Sequence, residues 1–137
     1  MGLTILDAGV VIGFLDRNDA HHDRAHAVLR EAADRNDELV LPASAFAEAL
    51  VGPSRRGGDA IARFVTMVER VPIAIAPLDQ DIAASAAELR AQHRSLKLPD
   101  ALVIATAHLL DADVLVTSDR RWPPRGRLGL RATITKL

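Results

Sequence analysis

The sequence predicts an α/β domain layered around a parallel sheet, and three observations lead there. Short apolar runs alternate with amphipathic helical stretches along the chain, the pattern of strand–helix–strand units. The stretch from Ala101 to Leu110 is apolar on nearly every helical face and is followed at once by a short strand, Val114 to Val116. A helix without a polar face belongs inside a domain. Two strands also end in acids: Asp7 follows Leu3–Leu6, and Thr117-Ser118-Asp119 follows Val116. In an open parallel sheet, the crevice at the carboxyl ends of the strands is where ligands bind.

Taken in order, Leu3 to Leu6 is the first strand, with a turn at Ala8-Gly9 and a short helix over Val10 to Leu15. From His22 to Arg35, apolar residues at positions 25, 28, 29, 32 and 33 give helical spacing, closed by Asn36-Asp37. Leu39 to Leu41 is a second strand stopped by Pro42. Ser44 suits an N-cap, and the helix it opens carries Glu48 and ends at Gly52-Pro53, leaving Arg55 to Gly58 as a flexible basic connection. Ile61, Phe64, Val65 and Val68 stripe the next helix. Val71 to Ala76 is a strand with Pro72 near its end or on an edge. Asp79 to His93 is another helix, Pro99 opens the apolar helix that follows, and Ala132 to Thr135 is a last strand.

With 137 residues and 49% apolar composition, the chain is long enough for one domain with a sizeable core. It contains no cysteine, which excludes disulfides and thiolate zinc sites and suits a reducing compartment. No basic leader precedes an apolar run, and no stretch nears the roughly 20 apolar residues of a membrane span. The expectation is a soluble, cytoplasmic protein. The net charge of −1 gives no overall nucleic-acid signature. Beyond Asp119, however, the chain carries Arg120, Arg121, Arg125, Arg127, Arg131 and Lys136 and no acid. That segment is either a solvated terminus or a phosphate-contacting edge.

Four acids stand where strands end or helices lie beside them: Asp7, Glu48, Asp100 and Asp119. They are far apart in sequence, so only a fold could gather them, and a parallel sheet delivers its carboxyl ends to one rim. Clustered carboxylates repel and resist ionisation, and a divalent cation removes that penalty. All-oxygen ligation favours Mg²⁺ or Mn²⁺ over zinc. Such a site supports attack of water on a phosphodiester. Singly, each acid has a structural use as well: helix N-terminus for Asp100, turn residues for Asp7 and Asp119, a solvent-facing position for Glu48.

Asp7 after an apolar strand, Ser44-Ala45-Phe46-Ala47-Glu48, the run from Leu98-Pro99-Asp100-Ala101 to Ala107, and Leu115-Val116-Thr117-Ser118-Asp119 together resemble the hallmarks of PIN-domain ribonucleases. More narrowly, the chain resembles the VapC toxins of VapBC toxin–antitoxin pairs. The resemblance covers essentially all of residues 1–137 as a single domain. It implies a three-layer α/β/α fold with a central, mostly parallel sheet of about five strands. It also implies that Asp7, Glu48, Asp100 and Asp119 are the catalytic residues, with Asp7, Asp100 and Asp119 on the metal and Thr117 a supporting hydroxyl. The implied activity is Mg²⁺- or Mn²⁺-dependent endonucleolytic cleavage of RNA, leaving 5′-phosphate and 3′-hydroxyl ends. The implied partners are a second copy of the chain and a cognate VapB-type antitoxin whose C-terminal segment occupies the groove. Family members often carry Ser or Thr directly after the first Asp, where this chain has Ala8.

Arg120 and Arg121 directly follow Asp119 and are the basic residues best placed for RNA; Trp122 could stack a base or pack. His21, His22 and His26 are expected in a surface or helix-start role rather than on a metal, and His108 as a packed core histidine. Two other functions compete. One is phosphoryl transfer through a phosphorylated Asp7. Against it, no acid stands two positions after Asp7, and no lysine is expected at a strand end near the rim, since Lys97 precedes a helix. The other is a non-catalytic module binding RNA or protein.

Overall fold

In the computed structural model, which describes residues 1–137, the strands are β1 (Leu3–Leu6), β2 (Glu38–Pro42), β3 (Ile73–Ala76), β4 (Val114–Thr117) and β5 (Thr133–Lys136). They form one sheet in the order β3-β2-β1-β4-β5. Every neighbouring pair is parallel, so the sheet is wholly rather than mostly parallel. Helices flank it in a three-layer α/β/α arrangement. Burial of both faces explains the near-continuous apolar strand sequences: Ile5, Leu6, Leu115 and Val116 are fully buried.

The helices are α1 (Ala8–Leu15) and α2 (His22–Asp34) between β1 and β2, then α3 (Ala43–Arg56) and α4 (Gly58–Arg70) before β3. Next come α5 (Gln80–Gln92) and α6 (Leu98–Leu109) before β4, and the short α7 (Arg125–Leu128) before β5. The chain first builds outward from β1 through β2 to β3, then returns to lay β4 on the other side of β1. The reversal makes β1 and β4 the topological switch point, where the crevice opens at the carboxyl ends of the strands. Asp7 and Asp119 follow these two strands.

Several boundaries differ from the sequence reading. Helix α3 does not end at Gly52-Pro53; it runs through Pro53 to Arg56. Proline costs one backbone hydrogen bond but its φ suits a helix, and burial of Ala45, Ala49 and Pro53 on one face holds the helix together. The break comes at Gly57, whose φ of 113° favours glycine. Arg55 and Arg56 are therefore the last helical turn, where cations complement the carbonyl end, and not a flexible connection. Ser44 is no cap: α3 starts at Ala43 straight out of β2, with no side-chain cap. The α1 helix likewise starts at Ala8, leaving no turn after β1.

The apolar helix α6 is buried from Val103 to Ala107, but His108, Leu109 and Leu110 are exposed where it emerges from the layer. His108 is thus not a core histidine. The four-residue α7 has no apolar repeat long enough to announce it in the sequence. No helix is long and apolar enough to cross a membrane.

Candidate active site

Asp7 lies at the point where β1 becomes α1. Its backbone N–H still belongs to the sheet, donating to the Val116 carbonyl at 2.9 Å. Its side chain already caps the helix, one carboxylate oxygen accepting from the Ala8 N–H at 2.8 Å. The other oxygen accepts from the Thr117 hydroxyl at 2.8 Å, and that hydroxyl in turn accepts from the Asp119 N–H at 3.0 Å. One buried threonine therefore ties the ends of β1 and β4 together. Gly9 permits the close approach: a Cβ there would overlap the Ser118 side chain. Ala8 is buried and offers only its backbone N–H to Asp7.

Asp7 is only 8% exposed. Burial pushes its carboxyl above the ordinary range, opposed by the Thr117 and Ala8 hydrogen bonds, with the Asp119 charge raising it further. Glu48, on α3, is raised by burial and by the charges of Asp7 and Asp100. Asp100, in the first turn of α6, is raised by burial and by Asp7 and Asp119. Charge thus couples Asp7 to each of the other three acids and Asp100 to Glu48 and Asp119, while Glu48 and Asp119 are not coupled to each other. Asp119 differs. The Arg121 side chain and N–H bond to it, the N–H at 2.8 Å and Nε at 3.2 Å, and hold its carboxyl below the usual range.

Two clefts open around the cluster. One, of about 310 Å³, lies between α1 and α3 and is lined by Ile12, Leu15, Glu48, Pro53 and Arg56 among others. The second, of about 230 Å³, is lined by Lys97, Asp100, Asp119, Arg121 and Trp122 with the preceding loop. Glu48 belongs to the first and Asp100 and Asp119 to the second.

A model of the PIN domain family matches residues 4–127, nearly the whole chain and all four acids. The chain belongs to the PIN-domain family. Its fold also matches solved structures. VapBC2 from Rickettsia felis, bound to a DNA fragment of its promoter, aligns with a TM-score of 0.72 at 15% identity, over 98% of both chains. Mycobacterium tuberculosis VapC20, a toxin that cleaves the sarcin–ricin loop, aligns with a TM-score of 0.69 at 15% identity, over 86% of this chain and 91% of that one. A toxin–antitoxin complex from Klebsiella pneumoniae aligns with a TM-score of 0.63 at 24% identity, over 86% of this chain and 88% of that one. The sequence finds no match among curated proteins.

Whether this PIN domain's acids fit a divalent ion follows from the donor set. It is all oxygen, and three of the four carboxyls are shifted toward the neutral form by burial and by one another. Added positive charge would relieve that strain. No three His, Asp or Glu side chains already converge as a closed ligand cage. The all-oxygen donor set therefore suits a hard ion that keeps several waters, the habit of Mg²⁺, and not tetrahedral zinc.

Other residues sort differently from their sequence promise. Arg120 is turned to the C-terminus, donating to the Leu137 carbonyl at 2.7 Å. Trp122 is 5% exposed, leaving no open ring face for a base. Arg131 binds Asp111 and Asp113 at 2.7 and 3.1 Å, at the amino ends of β4 and β5. The basic tail is thus split between opposite rims and forms no single phosphate edge. His22 Nδ1–H donates to the Gly13 carbonyl at 2.8 Å, and its ring meets His26, which stacks on Phe14.

Sequence reasoning set Lys97 aside because it precedes a helix. That helix starts at the rim, and Lys97 lowers the pKa of both Asp100 and Asp119. One objection to phosphoryl transfer through Asp7 is thereby removed, while the other stands, since the second position after Asp7 is Gly9. His21, expected in a surface or helix-start role, immediately precedes α2 and also lines a shallow hollow with Ser118, Asp119 and Arg121.

Proposed function

We propose that this PIN domain is a VapC-type endoribonuclease toxin, hydrolysing RNA phosphodiester bonds and neutralised by a cognate VapB-type antitoxin. The observation that supports the reading is that Asp7, tied to the Asp119 loop through Thr117, is coupled by charge to Glu48 and Asp100 at the switch point of a PIN fold. Asp7, Asp100 and Asp119 would hold Mg²⁺ or Mn²⁺, with Glu48 beside them as orienter of the attacking water. The bound ion supplies an activated water and neutralises charge at the phosphate.

The chain's own residues set up that chemistry. Thr117 fixes one Asp7 oxygen and, through the Asp119 N–H, the loop that presents Asp119. Burial and mutual repulsion keep Asp7, Glu48 and Asp100 poor at ionising alone, so they are primed to accept a cation. Arg121, exposed and paired with Asp119, and Lys97 are the cations within reach of a phosphate backbone. Glu48 has the environment of a base, its proton affinity raised by its surroundings. Toxin–antitoxin complexes among the similar structures support the antitoxin partner. We place the protein in the cytoplasm, with its substrate, as a homodimer of one-domain chains.

Incubating purified protein with total RNA and mapping the new 5′ ends tests the proposal. Cleavage should need Mg²⁺ or Mn²⁺, stop with a chelator, and be lost in Asp100→Asn. Wild-type cleavage by that variant would sink the assignment. RNA binding without cleavage would favour the non-catalytic module, and a stable phosphoryl adduct on Asp7 the phosphotransfer enzyme.

A further inference from the structure

Across the whole protein, one buried side-chain polar atom lacks a hydrogen-bond partner: Nε1 of Trp122. A buried donor left unpaired costs about 1–3 kcal/mol, and buried tryptophans ordinarily find an acceptor. Trp122 is buried and lines the wall of the cleft that also contains Asp100, Asp119 and Lys97. Its N–H lies near enough to the Asp100 carboxylate to favour the charged form, though it falls outside ordinary hydrogen-bond geometry.

Two of the other acids of the rim have fixed donors. Asp7 is held by Ala8 and Thr117, and Asp119 by Arg121. For half-buried Asp100 the donor within reach is the indole of Trp122. Carboxylates that bind metals are themselves oriented by hydrogen bonds from surrounding groups. A small rotation of the Asp100 side chain would satisfy both the orphaned donor and the unheld carboxylate.

We propose that Trp122 is a positioning residue for Asp100, its buried indole N–H donating to one carboxylate oxygen and leaving the other turned to the site. The hydrogen bond stands by itself; its consequence for metal affinity rests on the function proposed above. That Trp122 is the only tryptophan makes the test clean. Labelling the indole nitrogen gives a single N–H resonance in the metal-free protein. It should move upfield and exchange faster in Asp100→Ala, and stay in place in Asp119→Asn.

Replacing tryptophan throughout the protein by benzothienylalanine changes position 122 alone and exchanges the N–H for sulfur in a ring of nearly the same outline. That protein should melt near the wild type but bind Mn²⁺ about tenfold or more weakly. Trp122→Phe, checked for folding by circular dichroism, should show the same loss. An indole signal indifferent to Asp100→Ala overturns the proposal, as does a benzothienyl protein with wild-type Mn²⁺ affinity. If the wild type bound no Mn²⁺, the metal reading would fall while the indole resonance still decided the hydrogen bond.

Discussion

Replacing Thr117 by valine keeps the shape of a fully buried side chain and removes one hydroxyl. That hydroxyl donates to Asp7 at 2.8 Å and accepts from the Asp119 N–H at 3.0 Å. A hydrogen bond to a charged group contributes about 1.5–3 kcal/mol and a neutral one about 0.5–1.5 kcal/mol. At 8% exposure, Asp7 has little access to replacement water, so the expected loss is about 2–4 kcal/mol at neutral pH. The donor favours the ionised form of Asp7 and holds down a carboxyl that burial raises. Without it the carboxyl rises further. The loss should therefore be largest where Asp7 is charged and shrink as pH falls through its native pKa, because protonated Asp7 no longer needs the donor. Urea unfolding of the metal-free protein followed by circular dichroism, at neutral and mildly acidic pH, measures both effects. Thr117→Ser should recover most of the stability. A loss within about 0.5 kcal/mol, or one independent of pH, would refute the reasoning.

Acidification separates the raised acids from the lowered one. Because native Asp7 holds its proton better than the unfolded chain does, metal-free wild type should gain stability as pH falls from neutral toward the ordinary carboxylate range, with Glu48 and Asp100 adding in the same direction. Asp7→Asn should flatten that rise in a series of urea melts; an unchanged slope would contradict it. Asp119 works oppositely, its contribution lost only as pH falls below the ordinary range through its lowered pKa. Gly9→Ala should cost about 1 kcal/mol, the low end for an overpacked site, since the Ser118 hydroxyl can rotate away while its Cβ stays 3.1 Å from the new methyl. Thermal melts of Gly9→Ala with Ser118→Ala should show most of that cost removed.

What could be read from sequence was whatever is written in local periodicity. The five strands and the amphipathic helices appear as apolar spacing, and the acids Asp7 and Asp119 appear as strand ends. Convergence of four acids dozens of residues apart had to be inferred from fold class, and the resemblance supplied it. Boundaries failed where tertiary burial overrode a local breaker, as at Pro53, or where a backbone capped itself without the expected Ser44. The fates of Arg120, Trp122 and Arg131 were illegible because each depends on a partner remote in sequence: the Leu137 carbonyl, the Asp100 cleft, and the Asp111–Asp113 pair. Lys97 was misjudged for a related reason: a helix start can lie on the same rim as a strand end.

Calorimetric titration of Mn²⁺ into chelator-treated protein tests most directly whether the gathered acids form one cation site. Wild type should show a site whose affinity falls at least about tenfold in Asp7→Asn and likewise in Asp100→Asn, although the two positions are 93 apart in numbering. Equal Mn²⁺ binding by the wild type and both variants would contradict the account.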